Sequence, residues 1–356
     1  MTWISNVLKA PFPYFGGKAT IARDVWARLG DVTNYVEPFF GSGAMLLARP
    51  TEPNIETVND LDGYVANFWR AIQADPDAVA FYADNPVFEN DLHARHYWLK
   101  QQRSELSERM EGDPYYYDAQ IAGWWAWCMS CWIGGGLCEA NGPWSVVDGR
   151  LVKVGAAGGI IRGLPYLGGY GCGVNKLNVG DASGINRKCP LLAGPAGGNG
   201  IQKSGRLVQW FADLANRLAN VRVCCGDWTR VTGRSVTYLN GLTGVFLDPP
   251  YSHSERNKDL YTTETDCSAD VRQWAIDNGD NPLMRIALCG YDGEHAMPDS
   301  WECFAWKASG GYSNRSKAKH NDNCHRERIW FSPHCLSVEP QLTQESFFEV
   351  IGEERN

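Results

Sequence analysis

The chain has 356 residues, 44% of them hydrophobic and 12% aromatic, with a formal net charge of −8. That length holds one large domain or two smaller ones around a real apolar core. No run approaches the length of a membrane helix, and Met1-Thr2-Trp3-Ile4-Ser5 lacks the charged-then-apolar pattern of a secretory leader, so a cytoplasmic location is expected.

Residues 11–90 have the pattern of α/β units. A loop, Pro13-Tyr14-Phe15-Gly16-Gly17-Lys18, leads into a helix over about 19–29 and a short strand, Asn34-Tyr35-Val36. A glycine turn, Phe39-Phe40-Gly41-Ser42-Gly43, opens a helix at Ala44-Met45-Leu46-Leu47. A second strand, Ile55-Glu56-Thr57-Val58, ends in Asn59-Asp60, and helices follow over about 63–74 and after Pro76. Residues 91–140 carry apolar and aromatic positions at helical spacing.

From 133 to 205 the character changes, and about half of the glycines fall here. Residues 144–154 predict a hairpin around Asp148-Gly149. The rest is a glycine-rich loop, and a stretch of this length without periodicity is usually functional or disordered. From Gly149 through Arg206 there are eight basic residues, including Arg150, Lys153, Arg162, Lys176, Arg187 and Lys188, against the single acid Asp181. Such a segment on an otherwise acidic chain is the pattern of a phosphate-binding surface, with a solvated loop as the plain alternative.

Regular α/β character returns with a helix over about 206–218 and a strand, Val221 to Cys225, ending at Gly226-Asp227-Trp228. The apolar run Gly244-Val245-Phe246-Leu247 predicts a buried strand ending in Asp248-Pro249-Pro250-Tyr251. A helix over about 268–278 and strands at 284–289 and 328–331 follow, then an acidic tail from 339. The organisation predicted is a split α/β domain, 1–90 and 206–338, with an inserted region at 91–205 and a C-terminal tail at 339–356. A second basic cluster, Arg315, Lys317 and Lys319, predicts another phosphate-facing loop, or an exposed hairpin tip.

Twelve cysteines are scattered through the chain, several within apolar runs. Cys128-x-x-Cys131 has zinc spacing, but it lies in a Trp-rich helical stretch without a second pair, so buried thiols are expected and no metal. His253 and His325 pair with no nucleophile, which leaves a hydrolytic triad unsupported. Lys18 follows two glycines, but the spacing of a phosphate loop is absent.

The chemistry-bearing residues sit at strand ends, the edge where open α/β sheets bind ligands. At Asp248-Pro249-Pro250-Tyr251 a carboxylate can accept from an exocyclic amine. The fixed φ of proline aims neighbouring carbonyls at the same amine, and the tyrosine ring can stack on a flat base. The turn after Glu37-Pro38 lets a ligand approach the backbone. Asp60, about twenty residues beyond it, suits ribose hydroxyls or else a helix N-cap. Asp227 suits an adenine amine beside Trp228, or else a turn.

The joint order of these strand-end signals resembles the Dam-type, or alpha-group, DNA N6-adenine methyltransferases. The resemblance covers 13–62 and 222–251, with a looser fit at Arg326 to Phe331. It implies a doubly wound, mostly parallel α/β sheet that binds S-adenosylmethionine and acts on double-stranded DNA, with the target-recognition region at 91–205. By the same resemblance Glu37, Pro38, Phe39, Gly41 and Gly43 cradle the methionine moiety, Asp60 holds the ribose, and Asp227, with Trp228, the adenine. Tyr14, Phe15, Gly16, Gly17 and Lys18 close over the cofactor, Lys18 as polar anchor. Asp248 and the Pro249 carbonyl accept the target amine beside Pro250, and Tyr251 stacks on the flipped base. Alternatives are cytosine-N4 methylation on the same fold, a silent DNA-binding relative, and RNA as substrate. A restriction endonuclease partner is compatible with the family but leaves no mark in the sequence.

Overall fold

The computed structural model describes residues 8–14, 17–113, 115–132, 137–138, 144–147, 150–153, 205–251, 267–306 and 327–338. In chain order the elements are α1 (Ala22–Leu29), β1 (Asn34–Glu37), α2 (Ala44–Leu47), β2 (Ile55–Asp60), α3 (Gly63–Ala74), α4 (Pro76–Ala83), α5 (Glu89–Gly112) and α6 (Ala119–Cys131). Then come β3 (Trp144–Val147), β4 (Arg150–Lys153), α7 (Gly205–Leu218), β5 (Val221–Cys225), β6 (Thr243–Leu247), α8 (Ser268–Gly279), β7 (Met284–Tyr291), β8 (Glu302–Ala305) and β9 (Glu327–Phe331).

Seven strands form one sheet in the order β5-β2-β1-β6-β7-β9-β8. The five from β5 to β7 are parallel, and β9 runs antiparallel to both of its neighbours. The strand order reverses between β1 and β6, which makes that junction the topological switch point. The expected doubly wound, mostly parallel sheet is therefore what the chain forms. Strands β3 and β4 pair separately, flanking Asp148-Gly149.

The sheet alternates its side chains between two cores. On β6, Phe246 joins one apolar cluster while Val245 and Leu247 join the other. On β1, Tyr35 and Val36 divide in the same way, because successive residues of a strand face opposite sides. All five residues of β6 are buried, as in a parallel strand covered on both faces. The larger core is strongly aromatic: the Phe12 ring lies 5.1 Å from Phe68 and 4.7 Å from Trp125, both nearly edge-on. Aspartates start the helices around it. Asp62, Asp75 and Asp118 accept from Tyr64, Ala78 and Ile121 N–H groups at the first turns of α3, α4 and α6.

Two features differ from a reading of the sequence alone. Leu92, Leu99 and Leu106 of α5 and Ile121, Trp125 and Trp127 of α6 belong to the same core as Trp26 and Trp69. The apolar packing thus crosses position 90 without a break. At the α4–α6 crossing a Cβ on Gly123 would sit 2.4 Å from Tyr82 Cβ, so glycine permits the close approach. The second feature is β8, an edge strand with a single half-buried apolar residue, Phe304, which gives no periodic signal. Pairing with β9 holds it, as does Arg28, whose Nη2 meets Glu302 Oε1 at 2.8 Å and whose guanidinium lies over Phe304 and Phe331.

Candidate active site

Strand β1 delivers Glu37 to the sheet edge, and the chain then turns sharply through Pro38 to Gly43. Gly41 and Gly43 take left-handed φ values of 48° and 69°. A Cβ on Gly41 would lie 2.6 Å from the Tyr14 ring, so only glycine lets the turn pass beneath that aromatic. Hydrogen bonds lock the turn to β2 and α3. Phe40 N–H donates to Asn59 O, Gly41 N–H to Asp60 Oδ2 at 2.8 Å, and Trp69 Nε1 to Gly41 O at 2.9 Å. Asn59 Nδ2 donates to Pro38 O and to Gly226 O, tying the turns after β1 and β5 together.

Asp60 is therefore not the helix cap it resembles in sequence; Asp62 has that role. Asp60 accepts instead from Gly41 N–H and from Asp62 N–H at 2.9 Å. Burial pushes its carboxyl up to about 7 against those two bonds. Burial also lifts Glu37 well above the usual carboxylate range; a hydrogen bond from Tyr35 Oη at 2.9 Å opposes the rise and the charge of Asp248 adds to it. Asp227 is exposed at the cleft wall, accepts from Thr229 N–H and Oγ1, and begins a single helical turn.

The other half of the site follows β6. Lys18 is 4% exposed, and its Nζ meets Asp248 Oδ2 at 2.9 Å. Burial works against the ammonium, but Asp248, then Cys289 and Glu327, outweigh it and hold Lys18 above the usual lysine range. The ammonium also lies 5.4 Å from the centre of the Tyr251 ring. Tyr251 is buried, donates its hydroxyl to Glu327 Oε2 at 2.7 Å, and packs edge-on against Tyr291 with centroids 4.5 Å apart.

These two halves line one cleft of about 900 Å³, including solvent at its mouth. Tyr14, Gly17, Lys18, Glu37, Pro38, Phe39, Gly41, Asp60, Asp227, Trp228, Asp248 and Pro250 all contribute to its wall. Pro249 and Tyr251 lie buried behind that wall, and Gly43 sits under Phe40 and Trp69. Lys18, expected as the cofactor's anchor, is engaged with Asp248. Phe15, Gly16, Arg162, Lys176, Arg187, Lys188, Arg315, Lys317 and Lys319 lie outside the described residues, as do the side chains of Arg150 and Lys153 on β4. Cys128, Cys131 and Cys138 are buried, and among the described residues no His, Cys, Asp or Glu group has the arrangement of a metal site.

Sequence reasoning missed Asn59 and Glu327 as parts of the site. Asn59 had a signal, since it lies between a buried strand and Asp60. Glu327 had none, because an acid between two arginines resembles a solvated strand end.

Residues 14–121 match the family model of the D12 class N6 adenine-specific DNA methyltransferases. This stretch is similar to that class. The protein is accordingly a DNA adenine-N6 methyltransferase, and the matched residues span the Gly41 turn, Asp60 and helices α3 to α5. No match was found among curated proteins.

Proposed function

We propose that the enzyme takes its methyl group from S-adenosylmethionine and delivers it to an adenine swung out of double-stranded DNA. The observation that carries this reading is the single cleft lined by both the Gly41 turn and Asp248. A donor and an acceptor bound in its two halves come face to face.

The residues present fit the cofactor. Asp60 offers a carboxylate for ribose hydroxyls, and Glu37 offers one toward the methionine ammonium. Gly41 gives backbone close to the ligand, and Asp227 with Trp228 flanks the adenine. Asn59 Oδ1, buried and without a partner in the structure, is an acceptor available to a ligand donor. When bound, the cofactor supplies an electrophilic methyl on a sulfonium.

An aromatic amine is a poor nucleophile because its lone pair is delocalised into the ring. Asp248 and the Pro249 carbonyl accept its two hydrogens and favour a tetrahedral nitrogen, stabilising positive charge as it develops. In-line positioning supplies much of the remaining rate. Asp248 is the acceptor for the proton that the nitrogen must lose. Extruding the base costs a few kcal/mol, offset in part by stacking on Tyr251 and by phosphate contacts. A base stacked on the ring face under Lys18 takes the place of its ammonium.

DNA reading falls to the stretch 91–205. Helices α5 and α6 are built into the catalytic core, so within it the basic part after α6, with Arg150, Lys153, Arg162, Lys176, Arg187 and Lys188, is assigned to phosphates. Arg315, Lys317 and Lys319 are assigned to a second contact beside the site. Mass spectrometry of DNA from cells expressing the chain tests the reading: N6-methyladenine above an empty-vector control is expected. Its absence, from folded protein that takes up S-adenosylmethionine, would sink it.

A further inference from the structure

One acid at this sheet edge has no part in the chemistry above. Glu327 opens β9, pairs in register with Tyr291 of β7, and is buried. Its Oε2 accepts the Tyr251 hydroxyl at 2.7 Å, while the same hydroxyl lies 3.4 Å from Asp248 Oδ1. A phenol has one hydrogen to donate. The shorter contact has hydrogen-bond length, and the longer one is at the limit. With its ring wedged against Tyr291, Tyr251 is gripped at both ends, and its hydroxyl is directed away from the acid that receives the target amine.

We infer that Glu327 is a positioning residue for methyl transfer: it holds the Tyr251 hydroxyl off Asp248 and so keeps Asp248 Oδ1 open to the adenine amine. The inference rests on the roles assigned above to Asp248 and Tyr251. Without an acceptor at 327, the Tyr251 hydrogen turns to Asp248 and competes with the substrate. Protonating Glu327 leaves a weaker acceptor than the Asp248 carboxylate, so the hydroxyl turns the same way and the rate falls toward acid pH. The groups facing Glu327 are Lys18 from the N-terminal loop, Asp248 and Tyr251 after β6, Cys289 of β7 and Glu294 of the following turn. On its own strand, Arg328 Nη2 reaches Asp292 instead. Burial raises the Glu327 carboxyl, with Lys18 the main opposing influence.

The test is labelled methyl transfer from S-adenosylmethionine to genomic DNA lacking N6-methyladenine, using full-length wild type, Glu327→Met, Tyr251→Phe and the double variant. Methionine keeps the length of glutamate but is only a weak acceptor. Glu327→Met should lower kcat about tenfold or more, with KM for the cofactor changed less than about twofold. Removing the hydroxyl removes the competitor, so the double variant should recover to the rate of Tyr251→Phe. A merely structural glutamate predicts losses that multiply. An unchanged kcat in Glu327→Met, or a double variant no faster than it, overturns the inference. If Glu327→Met does not fold, Glu327→Gln replaces it and must move the acid limb of the kcat profile to lower pH, leaving only the limb set by Asp248; an unmoved limb overturns the inference equally. A wild type that labels no DNA sinks the assignment of the site itself, whereas an active wild type matched by Glu327→Met sinks only the role of Glu327.

Discussion

The two ends of the central strands treat buried charge in opposite ways. At the N-terminal end, Glu56 of β2 accepts from Arg49 Nη1 at 3.1 Å and from Arg217 Nη1 and Nη2 at 2.6 and 2.8 Å. Each guanidinium also donates to a backbone carbonyl, Val32 O for Arg49 and Leu46 O for Arg217. The one acid there is paired with both guanidinium groups, and together they join β2, α7 and the segment after α2. At the C-terminal end, Glu37, Asp60, Asp248 and Glu327 gather around the cleft, with Lys18 bonded to Asp248. Burial raises three of these four carboxyls. Matched charge fixes architecture; acids short of partners leave acceptors for a ligand that brings donors and positive charge.

Breaking each end should give different losses. Asp248→Ala should reduce methyl transfer about a thousandfold or more while leaving cofactor binding largely intact, as titration calorimetry beside single-turnover assays would show. Retained activity would remove that acid from the chemistry. Glu56→Gln should do the reverse: two guanidinium groups lose their counter-charge, so stability to denaturant should fall by about 3–5 kcal/mol while the rate per folded molecule holds.

Asp60→Asn should weaken cofactor binding by about tenfold or more, since one acceptor becomes a donor. Its pH dependence sharpens the contrast. A carboxyl raised from 3.8 to about 7 favours the fold most below the lower value, and that contribution is lost as pH rises to the upper one. Relative to wild type, the melting temperature of Asp60→Asn should therefore improve between pH 5 and pH 8. Wild-type cofactor affinity should fall as the pH drops through about 7, and the variant should be flat. A parallel pair of melting curves would dispose of a carboxyl raised by burial at position 60. The smallest effect is expected from neutralising Arg187 and Lys188 together. DNA affinity should weaken, and the slope of log K against log salt should become shallower by about two phosphate contacts' worth. An unchanged slope would take the basic segment out of the interface.

Much of this was legible in the residues. The largely apolar runs at 221–225 and 244–247 announced strands, Pro76 marked a helix start, and the glycine turn and Asp248 marked the sheet edge that binds ligands. Edge strand β8 was not legible, because a strand with one half-buried side chain carries no period. Nor was the membership of α5 and α6 in the catalytic core, since a helical pattern tells which face is apolar and not what covers it.

The sequence by itself determined the order of strands and turns, the acids that stand at strand ends and the kind of base chemistry they suit, because periodicity and turn chemistry are local. Tertiary structure alone decided that Lys18 meets Asp248, that Asp62 rather than Asp60 caps α3, and that Glu327, 76 positions beyond Tyr251, takes its hydroxyl. Those pairings depend on which strands lie side by side and in what register. Register is settled by burying two faces of one sheet at once, and no local stretch of chain encodes it.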